Sequence, residues 1–98
     1  MKLLTIAISK PQFYAALERK SLIKNGNWIR DKVLNKKGKT KPFTHLKVKL
    51  TSWNSPHFFI AEIKQIDRLE DVQAANLKYE PCFKFTLGVI NHFEIPTK

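Results

Sequence analysis

The chain has 98 residues, 43% of them hydrophobic, with a formal net charge of +10 and one cysteine. That length suits a single domain over residues 1–98 and leaves no room for two, and the hydrophobic share excludes a disordered chain. A lone thiol, Cys82, excludes an internal disulfide. No CxxC or Cys/His cluster marks a zinc site, so the expectation is no metal, no cofactor and a reducing, cytoplasmic setting.

Taken in order, MKLLTIAIS opens with Lys2 and an apolar run that ends at Ile8, too short for a processed leader or a membrane span. Leu4, Ile6 and Ile8 alternate with Leu3, Thr5 and Ala7, and both faces are largely apolar, which predicts a strand inside a sheet. Ser9 stands at an N-cap position and Pro11 in a first turn, so PQFYAALERK reads as a helix with Phe13, Ala16 and Leu17 on its apolar side. SLIKN is a short strand closed by the Asn25-Gly26 turn signal. NWIRDKVLNKKG reads as a second helix capped by Asn27 and ended by Gly38, with Arg30, Lys32, Lys36 and Lys37 on its polar side.

Period-two alternation from Leu46 to Leu50 predicts a half-exposed strand, and HFFIAEIKQI a further one. DRLEDVQAANLKYEP reads as helical or irregular, with Leu69 and Val72 facing inward. CFKFTLGVINHFEI closes the chain as a strand with Phe83, Phe85 and Leu87 inward, and Gly88 marks a bulge that hands the inward set to Val89 or Ile90. The total is a mixed α+β domain of four to five strands with two to three short helices, curled into a small open barrel.

Charge is unevenly placed. Residues 19 to 49 hold eleven basic side chains against Asp31 alone, so this third of the chain carries the whole excess. Such a block beside a neutral body points to a polyanionic partner. Four of its lysines, Lys36, Lys37, Lys39 and Lys41, crowd the segment NKKGKTKPF, expected as a mobile loop that attracts phosphates without reading bases.

The succession QFYAALERKSL, WIRDKVLN, FTHLKVKLTS, FFIAEIKQI and FKFTLGVI resembles the ASCH domains of the PUA-like superfamily, over nearly the whole chain. In that family the first helix ends at a Gly-x-Lys-Thr signature followed by an Arg-bearing strand. Here Lys20 and Ser21 match the lysine and threonine, Glu18 replaces the glycine, Asn25 stands near the arginine position, and Leu87-Gly88 matches the closing strand. The resemblance implies a pseudo-barrel, a cleft beside the first helix and RNA binding. It also implies, as an alternative, a small amidohydrolase acting on a modified nucleoside. For the enzyme, Lys20 is kept, Ile23 replaces the expected hydroxyl residue, and Glu70 or Glu80 would supply the carboxylate.

The expected nucleic-acid-binding residues are therefore Lys20, Ser21, Lys24, Arg30, Lys36, Lys37, Lys39, Lys41 and Trp53, with Lys20 the one weak catalytic candidate. Trp53, in the SWNSPH turn, is the expected base-stacking residue, whereas Trp28 reads as an anchor of its helix to the core. RNA is expected over duplex DNA because no helix-turn-helix recognition helix stands out. An acidic protein partner is the other reading of the same charge, and no membrane association is expected. His45, His57 and His92 are too scattered for metal ligands.

Overall fold

Seven elements follow one another in the computed structural model: β1 (Leu3–Ile8), α1 (Lys10–Arg19), β2 (Ser21–Asn25), α2 (Asn27–Val33), β3 (His45–Leu50), β4 (Phe58–Gln73) and β5 (Tyr79–Glu94). The structure describes residues 1–52 and 55–96, His92 through its backbone alone.

The strands form one mixed sheet in the order β1-β3-β4-β5-β2. β1 pairs in parallel with β3, placing Leu4 beside Leu46 and Ile6 beside Val48, and all other pairings are antiparallel. These alternating residues, with Phe59, Phe83 and Phe85, form one face of the sheet and are buried with Phe13 and Ala16 of α1 and Ile29 and Val33 of α2. Phe13 and Phe59 meet edge-to-face at 5.1 Å between ring centroids, the geometry favoured by aromatic quadrupoles.

α1 starts where the sequence placed it. The Phe13 amide donates to the Ser9 carbonyl at 2.9 Å, and the Ser9 amide donates to Gln12 Oε1 at 3.4 Å. The helix ends at Lys20, whose left-handed φ of 53° turns the chain into β2.

Three expectations are corrected. β1 is an edge strand, not an interior one, and its second face of Leu3, Thr5 and Ala7 is exposed. Residues 67–73 are not helical: β4 runs on to Gln73 and pairs with β5 throughout, as the edge of a three-stranded stretch with β2 up to Leu69 and as a two-stranded arm beyond it, and Leu69 and Val72 are exposed. Their spacing of three, which reads as helical, comes from a register shift: Leu69 opposes Cys82 and Val72 opposes Glu80, so one extra residue sits on β4 between them. α2 stops at Val33, well before Gly38. The order from β1 to β2 is open, with no β1–β2 pairing among the described residues, so the hydrogen-bonded ladder does not close.

The sheet nevertheless curls. α2 packs on β5 and β2, yet its Lys32 Nζ donates to the Thr5 carbonyl of β1 at 3.2 Å, so one seven-residue helix touches both edges of the sheet. Five flat strands would span about 19 Å between outer strand axes, against about 10 Å of helix. Register shifts along β4 and β5, including the one around Gly88 that leaves Ile90 half-buried and Val89 exposed, supply the bend. No helix among the described residues is long and apolar enough to cross a membrane.

Candidate nucleic-acid interface

α2 organises the basic region because its faces divide cleanly. Ile29 and Val33, four apart, point into the core. With about 100° between successive residues, Trp28 and Lys32 fall on one flank of that stripe and Arg30 and Leu34 on the other. Each flank borders a groove.

The first groove, of about 390 Å³, lies between α2 and the β1–β3 edge and is lined by Trp28, Lys32, Lys49, Thr5, Ala7 and Thr51, among others. Trp28 is 44% exposed, so the expected anchoring role is corrected: Ile29 and Val33 do the anchoring. The indole edge rests on Gly26, where an added Cβ would come within 2.7 Å of it. Gly26 also has φ +133°, so glycine is required there on both counts. Lys24 from β2 and Lys32 from α2 each place Nζ 5.8 Å from the indole centroid, at the outer limit of a cation–π contact.

The second groove, of about 340 Å³, brings Arg30 and Lys36 together with Arg68 of β4. Lys36 and Lys41 also border an adjoining hollow of about 460 Å³ beside Asp31 and Leu34. The turn that carries these lysines was expected as a mobile loop; it is instead tied by Asn35. The Asn35 Oδ1 accepts from the Lys37 and Lys39 amides at 2.9 and 3.0 Å, and the Asn35 amide donates to the Lys39 carbonyl at 2.8 Å. This side-chain turn competes with helix and explains why α2 ends early, removing Lys36 and Lys37 from it. Lys41 has a structural duty: its Nζ and its amide donate to the Asp31 and Val33 carbonyls at 3.4 and 2.8 Å, covering orphan acceptors at the end of α2.

Lys20 and Ser21 sit apart from both grooves. The Lys20 backbone joins α1 to β5 through a 2.9 Å bond from the Leu87 amide, and its side chain is exposed with no carboxylate or hydroxyl partner among the described residues. A cleft of about 180 Å³ does lie between α1 and β2, lined by Gln12, Arg19, Ser21 and Ile23, but Lys20 does not border it. Glu80 is engaged elsewhere, accepting from Asn25 Nδ2 at 3.2 Å, and Glu70 lies on the β4 arm. The lysine, hydroxyl and carboxylate that an amidohydrolase needs are therefore not assembled at this cleft. Trp53 lies outside the described residues.

Comparison of the chain with protein-family models, curated proteins and solved structures finds no match. The site therefore rests on its own geometry. Sequence reasoning passed over Lys32, Lys49 and Arg68 as site residues and misjudged Trp28. The signal for Trp28 and Lys32 was present in their i,i+4 spacing beside the Ile29–Val33 stripe. Arg68 had none, because its place beside α2 depends on the extended β4 arm.

Proposed function

We propose that this chain is a small nucleic-acid-binding module that engages single-stranded RNA, in preference to duplex DNA, through the cationic face built on α2, the 35–41 turn and β3. One observation carries the reading. Of the eleven basic side chains between residues 19 and 49, Arg30 alone faces a carboxylate among the described residues, Asp31 at 3.3 Å. Charge this concentrated and unneutralised repels itself and favours a polyanion that releases its counterions on docking.

The two grooves flanking α2 give that polyanion a concave track. The curled sheet with a helix across its open seam supports the pseudo-barrel arrangement of the PUA-like resemblance, and the ASCH assignment stands as part of this proposal. A cytoplasmic setting goes with it, since the buried thiol of Cys82 needs no oxidised partner.

The test is fluorescence anisotropy of labelled single-stranded RNA and of duplex DNA at about 50 mM and 200 mM salt, where phosphate-driven binding changes most steeply. Binding to the single strand that weakens as salt rises is the expected result. Absence of binding at the lower salt overturns the reading.

A further inference from the structure

We infer that Trp28 is a base-stacking platform, and that the groove between α2 and β1 holds one unpaired nucleobase with its flanking phosphates on Lys24, Lys32 and Lys49. The inference rests on the reading above and adds to it the chemical unit recognised and the place where it sits.

Four features argue for a base here. A tryptophan 44% exposed at the wall of a groove is a large apolar surface left in water, and it is braced: its edge packs on Gly26, and the buried Ile29 beside it anchors the helix. A rigid aromatic loses little entropy when a flat ring lies on it. The groove volume of about 390 Å³ lies at the lower end of the range for small-molecule sites, which suits one nucleotide better than a duplex. Paired bases have no free face to offer, so stacking selects single strands.

The third feature is charge. Lys24 of β2 and Lys32 of α2 approach the indole from separate elements, and Lys49 of β3 lines the same groove. No described ion pair involves any of the three. Nζ distances of 5.8 Å put both lysines at the outer limit of a cation–π contact, and Lys32, held on the Thr5 carbonyl at 3.2 Å, keeps further N–H donors for a phosphate as a base takes the indole face. The fourth is polar trim. Thr5 and Thr51 line the same groove, and each carries a hydroxyl able to meet a base edge or a ribose hydroxyl.

The experiment uses the full chain carrying Trp53→Phe, so that Trp28 is the remaining indole. Titration with oligoadenylate, followed by anisotropy and by indole emission together, is expected to quench Trp28 in step with binding. Trp28→Ala in the otherwise wild-type chain is expected to weaken oligoadenylate binding about fivefold to tenfold, the lower end of what one stacked base contributes. The salt slope should stay the same, and Trp28→Phe should retain most of the affinity. An abasic ribose-phosphate chain of equal length should bind wild type and Trp28→Ala alike.

Thermal melts of both variants establish that they fold, and the phenylalanine variant carries the test if the alanine variant does not. Oligoadenylate binding with unmoved Trp28 emission, or equal loss of abasic and base-bearing ligands in Trp28→Ala, overturns the inference and leaves the general nucleic-acid reading standing. Failure of wild type to bind either ligand at low salt brings down the general reading and this one with it.

Discussion

The Nζ of Lys32 donates to the backbone carbonyl of Thr5 at 3.2 Å, joining the polar flank of α2 to the outer edge of β1. Lys2 and Ile8 direct their carbonyls toward β3, as the bonds from the His45 and Thr51 amides establish, and strand alternation turns the Thr5 carbonyl the other way. An open edge offers such groups to any passing strand, and a lysine placed across it is a known means of blocking the approach.

Lys32→Met keeps the side-chain stem and removes the donor. A loss of about 0.5–1 kcal/mol is expected, the net worth of one solvent-accessible hydrogen bond, measured by urea denaturation. The variant should also self-associate more readily in sedimentation experiments, because the β1 edge is uncovered. A variant as stable and as monodisperse as wild type would show that the bond has no such part.

The turn lysines separate into two kinds. Lys36, Lys37 and Lys39 are exposed, whereas Lys41 covers carbonyls at the end of α2. Replacing the first three by Ala should leave the midpoint of thermal unfolding nearly unchanged. If all three touch phosphates, the slope of log K against log salt should fall by about 2, at about 0.7 per phosphate. Lys41→Ala alone should lower stability by about 0.5–1 kcal/mol. An unchanged salt slope in the triple variant would remove the turn from the interface.

Among the described residues, two other than glycine adopt left-handed backbone, Lys20 at φ 53° and Leu77 at φ 66°. Leu77 is 74% exposed at the tip of the β4–β5 arm, so its side chain gains little from burial to offset the conformation. Leu77→Gly is expected to stabilise the protein by up to about 1 kcal/mol, since glycine adopts this region without a Cβ clash. Lys20→Gly should stabilise by a similar amount while leaving affinity for RNA almost unchanged, because Lys20 borders neither groove. A large loss of affinity in Lys20→Gly would instead return the end of α1 to the binding surface.

Cys82 is 3% exposed, and burial, reinforced by the nearby Asp71 charge, pushes its thiol above the ordinary value of 9.0. Native protein at neutral pH should therefore react with a thiol reagent far more slowly than protein unfolded in urea. The raised value also makes stability pH-dependent in a defined direction. Above about pH 9 the unfolded chain gives up this proton and the folded chain holds it, so the folded state binds more protons and loses stability as pH rises further. Cys82→Ala should flatten that part of the profile; an identical alkaline decline in both proteins would assign it to other groups.

Much of the core was legible because alternation and burial coincide in Leu4–Ile6–Ile8, Leu46–Val48 and Phe83–Phe85–Leu87. Residues 67–73 were not, because the far end of β4 is first an edge strand and then one half of a two-stranded arm, exposed along nearly all its length, and gives hydrophobic periodicity nothing to report. Edge and interior strands likewise differ in what lies beside them, which β1 does not encode in its own residues. The cationic block was plain from composition, but its division into two grooves depends on where α2 stops. That follows from the side chain of Asn35 and not from any hydrophobic pattern.

The partners of the two edge strands lie far along the chain. Leu3 pairs with His45, and Ser21 waits for Thr86. Closing such long loops before any ladder forms makes the search for the native arrangement slow for a protein of this size, on the scale of milliseconds to seconds. During synthesis the cationic third would emerge before β5 exists to hold β2, so for a time the growing chain would present its lysines on an unfinished scaffold. A polyanion met at that stage would encounter charge without grooves, and discrimination between ligands would arise only once β5 had been made.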